Sequence, residues 1–192
     1  MTAIQLVAGL GNPGVKYEQT RHNAGFWFVD EVARQCGTRF RSASKYKSEV
    51  ALCTLAGQEF RLQKPMDFMN CSGMPVASLA GFYRIPLCAV LVVHDDLDLP
   101  AGTVKLKKGG GHGGHNGLRD LIPQLGGKDF LRLRIGIGHP GHRDDVVGYV
   151  LQAASRDDRM AIDQAIDQAV QVLPEIIAGN IEVAMKELHT AK

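Results

Sequence analysis

The chain has 192 residues, 45% of them hydrophobic, with 22 Lys and Arg against 20 Asp and Glu for a formal net charge of +2. That length and apolar content can bury a core without staples, so one domain over residues 1–192 is expected. The near-neutral balance excludes a large nonspecific polyanion binder, although cations can still gather on one face. No run approaches the roughly 20 apolar residues of a membrane span, and Met1-Thr2-Ala3-Ile4 lacks a secretory profile, so a cytoplasmic protein without membrane contact is expected.

Residues 4–8 form a short apolar run suited to a buried strand, and Gly9-Leu10-Gly11-Asn12-Pro13-Gly14 follows at once. After Arg21-His22-Asn23, residues 24–36 carry Phe26, Val29, Val32, Ala33 and Cys36 on one helical face, ended by Gly37. This is a strand, loop and helix opening. Residues 50–55 and 59–63 are β-rich and joined through Ala56-Gly57, which predicts a hairpin and hence an antiparallel part of the sheet. Residues 74–83 have helical spacing, with Pro75 in the first turn where it is tolerated.

Residues 89–93 are a wholly apolar strand that turns polar at His94-Asp95-Asp96, placing carboxylates where open α/β sheets bind ligands. Two later strands are read by alternation of faces. Over 103–107, Lys105 and Lys107 share one side; over 131–137, Arg132 and Arg134 do. Between them lies Gly109-Gly110-Gly111-His112-Gly113-Gly114-His115-Asn116-Gly117. A helix is expected from Asn116 or Gly117, shortened or kinked by Pro123. From Ser155 onward the chain is helical, with Ile162, Ala165, Ile166, Ala169 and Leu173 inward, a bend at Pro174 and a stop at Gly179-Asn180.

Glycine-rich loops allow positive φ and close approach of another molecule to the backbone. With Lys, Asn and His set into two of them, a polar, phosphate-bearing ligand is indicated. The match of residues 9–14 to G-x-G-x-x-G is not a dinucleotide fingerprint, because the helix that should start at those glycines is postponed by about ten residues. Asp30 also lies inside a helix rather than at a strand end. Cys36, Cys53, Cys71 and Cys88 form no Cys-x-x-Cys pair and read as reduced core residues. His94, Asp95, Asp96 and Asp98 are weighed as metal ligands, but glycine loops are poor cages and no metal or cofactor is expected. His112 and His139 read as loop residues bonded to nearby backbone.

No Gly-x-Ser-x-Gly elbow occurs and Cys71 has no adjacent base, which leaves hydrolysis by water under general-base control. His22, Asp95 and the asparagines Asn12, Asn70 and Asn116 supply base, carboxylate and neutral donors for such a site. Each has an ordinary alternative: His22 could cap the next helix, Asp95 could pair with Arg21, Asn12 could serve the turn and Asn116 could cap a helix.

Together these segments resemble bacterial peptidyl-tRNA hydrolase. The likeness rests on residues 9–14, Tyr17, Thr20-Arg21-His22-Asn23-Ala24-Gly25, Phe68-Met69-Asn70-Cys71-Ser72-Gly73, residues 94–100, residues 109–117 and residues 132–141, in order over nearly the whole chain. It implies a monomeric three-layer α/β/α sandwich with a mixed, mostly parallel twisted sheet. It also implies hydrolysis of the ester joining a peptide to the tRNA 3′ end, with His22 as base, Asp95 as its supporting carboxylate and Asn12 distinguishing N-blocked substrate. Tyr17, Phe68, Asn70 and Asn116 match substrate contacts, Met69 and His115 line the same crevice, and Lys105, Lys107 and Arg134 match a phosphate clamp. The implied partner is peptidyl-tRNA, held at its CCA end and acceptor-stem phosphates. A noncatalytic RNA-binding relative is the alternative, and the presence of His22, Asp95 and all three asparagines argues against it.

Overall fold

The computed structural model describes residues 2–190. Its strands are β1 (Leu6–Gly9), β2 (Arg41–Ala43), β3 (Ser48–Leu55), β4 (Gln58–Pro65), β5 (Val90–Asp96), β6 (Val104–Lys108) and β7 (Leu131–Gly136). The helices are α1 (Ala24–Gln35), α2 (Gly73–Phe82), α3 (Asn116–Leu125), α4 (Val146–Val150), α5 (Arg156–Ala178) and α6 (Ile181–Thr190). All seven strands form one sheet in the order β2-β3-β4-β1-β5-β7-β6. The neighbours β4, β1, β5 and β7 are parallel, β3 and β6 run against them, and β2 reverses once more, so five strands share a direction.

The antiparallel edge arises from the hairpin at Ala56-Gly57, whose positive φ values of 49° and 77° suit the tight turn joining β3 to β4. Alternation along the central strands divides the core. Val7, Leu91 and Val93 face α1 and α5, while Leu6, Ala8, Val90 and Val92 face α2 and α3. This gives the three-layer sandwich. The inward stripe of α5 from Ile162 to Leu173 is buried, and the helix runs through Pro174 to a left-handed stop at Gly179. Pro123 is likewise accommodated inside α3, which ends two residues later at Leu125.

The glycines of the first loop act mainly through space rather than dihedral freedom. A Cβ on Gly9 would meet the Gly25 carbonyl, and one on Gly25 would meet backbone of Leu10 and Val93 inside van der Waals contact. Helix α1 therefore begins directly against β1 and β5, and the residues just before it lie over the carboxyl ends of those strands. In the second loop, Gly109, Gly110, Gly113 and Gly114 do take positive φ, as glycine-rich sequence suggests.

Three details differ from the sequence reading. Cys71 and Cys88 are exposed rather than in the core, because each sits in a short turn at the surface. Strand β5 continues through Asp96, so His94 and Asp95 are held in the sheet ladder instead of following it. The short elements β2 and α4 carry too few residues to show periodicity.

Candidate active site

At the carboxyl ends of β1 and β5 a cavity of about 680 Å³ is lined by Asn12, His22, Met69, Asn70, Asp95 and Asn116, among others. Three connections and the end of β5 supply these side chains. The first loop is locked by reciprocal bonds: Asn12 N donates to Asn23 Oδ1 at 2.8 Å, and Asn23 Nδ2 donates to the Asn12 carbonyl at 2.9 Å. The turn before α2 is tied to it, since Met69 N donates to Asn12 Oδ1 at 2.7 Å. A backbone N–H can meet only the amide oxygen, so the Asn12 NH2 end is the free one. Asn116 is oriented in the same sense, its Oδ1 accepting from Arg119 Nη1 at 3.1 Å.

The segment carrying His22 is fixed from its other side. Arg21 is buried, donates to the Tyr149 carbonyl at 3.0 Å and stacks 3.9 Å over the Tyr149 ring. Arg21 thus does not pair with Asp95, and His22 does not cap α1, whose cap position is Asn23.

His22 Nδ1 instead lies 3.0 and 2.9 Å from the two carboxylate oxygens of Asp95, with Asp95 2% exposed. The ring hydrogen must sit on Nδ1 to be donated there, which leaves Nε2 bare and facing the cavity. Burial acts to lower the affinity of His22 for a second proton, but the Asp95 charge and hydrogen bonds outweigh it, and the pKa is raised above 6.5. For Asp95 burial works against the charge, and the two histidines it faces outweigh it, holding the carboxyl well below the usual range.

Two further histidines surround Asp95, and their bonds set them apart from His22. His115 Nε2 donates to Asp95 Oδ1 at 2.9 Å, while its Nδ1 accepts from the amides of Gly117 and Leu118 at the start of α3. Both ring nitrogens are occupied. The cap of α3 is therefore His115, not Asn116. His94 gives its Nδ1 hydrogen to the Asp95 carbonyl at 2.7 Å, and its bare Nε2 is sealed from solvent with no partner among the described residues. Burial and His115 pull the His94 pKa down to about 4. Of the three rings, His22 alone offers an open basic nitrogen.

His22, Asp95 and His115 have the mutual separation of a metal-ligand group. Ligation through His115 Nε2 would move its ring hydrogen to Nδ1, against two amide hydrogens, so this donor set fits a proton network better than a metal. His112 and His139 each accept a local backbone N–H at 2.9 Å, from Gly114 and Gly141, as their loop positions suggest.

Beside the cavity the sheet carries a cationic face. In the antiparallel pair of β6 and β7, Lys105 lies opposite Arg134 and Lys107 opposite Arg132. Arg134 Nε is held by Asp96 Oδ2 at 2.7 Å. Arg132 is 3% exposed and donates to the carbonyls of Gly110 and Gly111, so it anchors the second glycine loop rather than facing a ligand. Lys105 and Lys107 are exposed; Lys107, Arg132 and Arg134 line the cavity, whereas Lys105 stands beyond its edge. Tyr17 and Phe68 also fall outside the lining and form an edge-to-face pair, centroids 6.2 Å apart, with Phe68 56% exposed. Sequence reasoning singled out neither Asn23 as a lock nor Arg132 as an anchor; the alternation of β7 had marked Arg132 as a cation only.

Comparisons with known proteins converge on one family. Residues 6–192 match the family model described as peptidyl-tRNA hydrolase. The chain is 54% identical over 193 residues to the peptidyl-tRNA hydrolase of Pseudomonas paraeruginosa, covering 100% of both, and 51% identical over 185 residues to that of Halorhodospira halophila, covering 96% of this chain and 95% of the other. It is similar to the crystal structure of peptidyl-tRNA hydrolase from Acinetobacter baumannii, with a TM-score of 0.97 and 44% identity over 100% of this chain and 97% of that one.

Proposed function

The chain belongs to the peptidyl-tRNA hydrolase family, and from that premise we propose that it hydrolyses the ester between an N-blocked aminoacyl or peptidyl group and the 3′ end of tRNA, with His22 activating the water. The observation that carries this reading is the buried His22 and Asp95 pair, whose one open nitrogen faces a cavity lined by three asparagines. Water bound at Nε2 attacks the ester carbonyl as its proton passes to His22. The imidazolium forms against Asp95, the bond from carbonyl carbon to ribose oxygen breaks, and His22 returns the proton to that oxygen. Charge on the developing oxyanion is met by neutral amide donors, for which the free NH2 ends of Asn12 and Asn116 are suited.

The fixed sense of the Asn12 amide also supports selectivity. A donor suits the carbonyl of a blocked residue and gives nothing to the ammonium of free aminoacyl-tRNA. Lys105, Lys107 and the unpaired edge of Arg134 suit acceptor-stem phosphates, contacts that carry no sequence information. Tyr17, Phe68, Met69 and Asn70 suit the single-stranded CCA end, where bases stack and offer their edges. No helix among the described residues is long and apolar enough to cross a membrane. The test is release of N-acetyl-aminoacyl groups from tRNA set against release from unblocked aminoacyl-tRNA. Selective release of the blocked species is expected; no release, or equal release of both, contradicts the reading.

A further inference from the structure

Asp95 serves two histidines, and the second has its tautomer fixed from outside. The Gly117 and Leu118 amides point their hydrogens at His115 Nδ1 from 3.1 and 3.3 Å, which confines the ring hydrogen of His115 to Nε2 and directs it at Asp95 Oδ1. That same oxygen also faces His22 Nδ1. A carboxylate that accepts a second hydrogen bond concentrates less charge on the first donor. We infer that His115 is a positioning residue that draws off part of the Asp95 charge and so makes His22 release its proton more readily than it would beside an undivided carboxylate.

The neighbouring charged groups leave this role to His115. Asp96 is paired with Arg134, Arg132 is held by loop carbonyls, and Arg21 is held by the carbonyls of Tyr149 and Gln152. His94 binds the main chain of Asp95, not its carboxylate. Asp98, Lys107 and His112 on this side of the cleft, with Arg119, His139 and Arg143 around it, line the same cavity, and none of them hydrogen-bonds to His22 or to the Asp95 carboxylate. The glycine loop and the start of α3 are thereby coupled to the base: the residue that caps the helix also sets the charge that His22 feels.

Two substitutions separate the two functions of His115. In His115→Asn the side-chain oxygen can still accept from the Gly117 and Leu118 amides, but its NH2 stops short of Asp95. In His115→Gln the terminal NH2 reaches about as far as Nε2, but no acceptor remains at the helix start. The readouts are the His22 ring titration by NMR and kcat/KM against pH on N-acetyl-aminoacyl-tRNA. For His115→Asn the His22 midpoint should rise and the acid limb should follow, raising the ratio of rates at pH 8 and pH 6 by roughly threefold or more. His115→Gln should keep the parent midpoint. An unmoved or lowered NMR midpoint in His115→Asn overturns the inference, as does a shift in His115→Gln equal to or larger than that in His115→Asn, since loss of the helix cap alone would move His115→Gln and spare His115→Asn. If His115→Gln does not fold, the NMR comparison of His115→Asn with the parent decides alone. The kinetic readout rests on His22 being the base; an NMR midpoint that rises while the acid limb stays in place supports the charge sharing and overturns that reading instead.

Discussion

Asp95→Asn keeps the shape of the side chain but removes the charge on which His22 Nδ1 and His115 Nε2 converge at 2.9–3.0 Å. Asp95 and His22 are 2% and 8% exposed, so water screens little of their interaction. A pair of unit charges about 4 Å apart is worth about 4 kcal/mol at an effective dielectric near 20. That amount is gained in full when His22 becomes imidazolium, which in the proposed mechanism happens on the way to the transition state. At about 1.4 kcal/mol per factor of ten, kcat falls roughly a thousandfold. The new amide can also turn its NH2 toward His22 Nδ1, moving the ring hydrogen to Nε2 and blocking the base, which takes the loss toward about ten-thousandfold. KM should change little, since the charge acts in the chemical step. The assay is single-turnover hydrolysis of N-acetyl-aminoacyl-tRNA at saturating enzyme, with circular dichroism confirming the fold. A folded variant that loses less than about tenfold in rate would refute the role given to Asp95.

In the parent enzyme, kcat/KM should fall on the acid side with a midpoint above 6.5, because the pKa of His22 is raised and in the proposed mechanism only its neutral form accepts the water proton; a midpoint below that value contradicts the assignment. Lys105→Ala and Arg134→Ala should each raise KM and flatten its dependence on log salt by about one, leaving kcat nearly unchanged. An unaltered salt response in both variants removes the phosphate face from the account. Gly25→Ala should cost about 1–3 kcal/mol in urea unfolding or prevent folding, since its Cβ would overlap Val93 and Leu10 backbone; wild-type stability would show that α1 can shift without penalty.

Much of this site is legible in sequence because its parts sit at element ends. The apolar run before Asp95 announces a strand, and alternation along 131–137 puts Arg132 and Arg134 on one face from sequence alone. The mixed sheet with its helices follows from the same periodicities, whereas the three-layer arrangement is what the family resemblance implies. What alternation cannot supply is how each cation is spent: Arg132 and Lys107 both face that side, yet Arg132 is consumed by carbonyls of a loop 21 and 22 residues away in the chain. The contacts of His115 are hidden for a similar reason. Its cap is local, but its bond to Asp95 spans 20 residues and depends on where the glycine loop returns. In sequence Gly9 reads as a loop residue and Gly25 as one more position of the helix, whereas their cause is the close approach of two backbones, a property of pairs of elements. Cys71 and Cys88 mislead because hydrophobic neighbours along the chain do not guarantee burial of a residue in a surface turn.

Whether His22 is the base is decided by His22→Ala in single turnover on N-acetyl-aminoacyl-tRNA, with tRNA binding measured on the same preparation. Hydrolysis should fall by at least about a thousandfold, the general-base and proton-return steps both being lost, while tRNA affinity stays within a few-fold. Hydrolysis within about tenfold of the parent, by folded protein that still binds tRNA, would contradict that role and move the base elsewhere in the cleft.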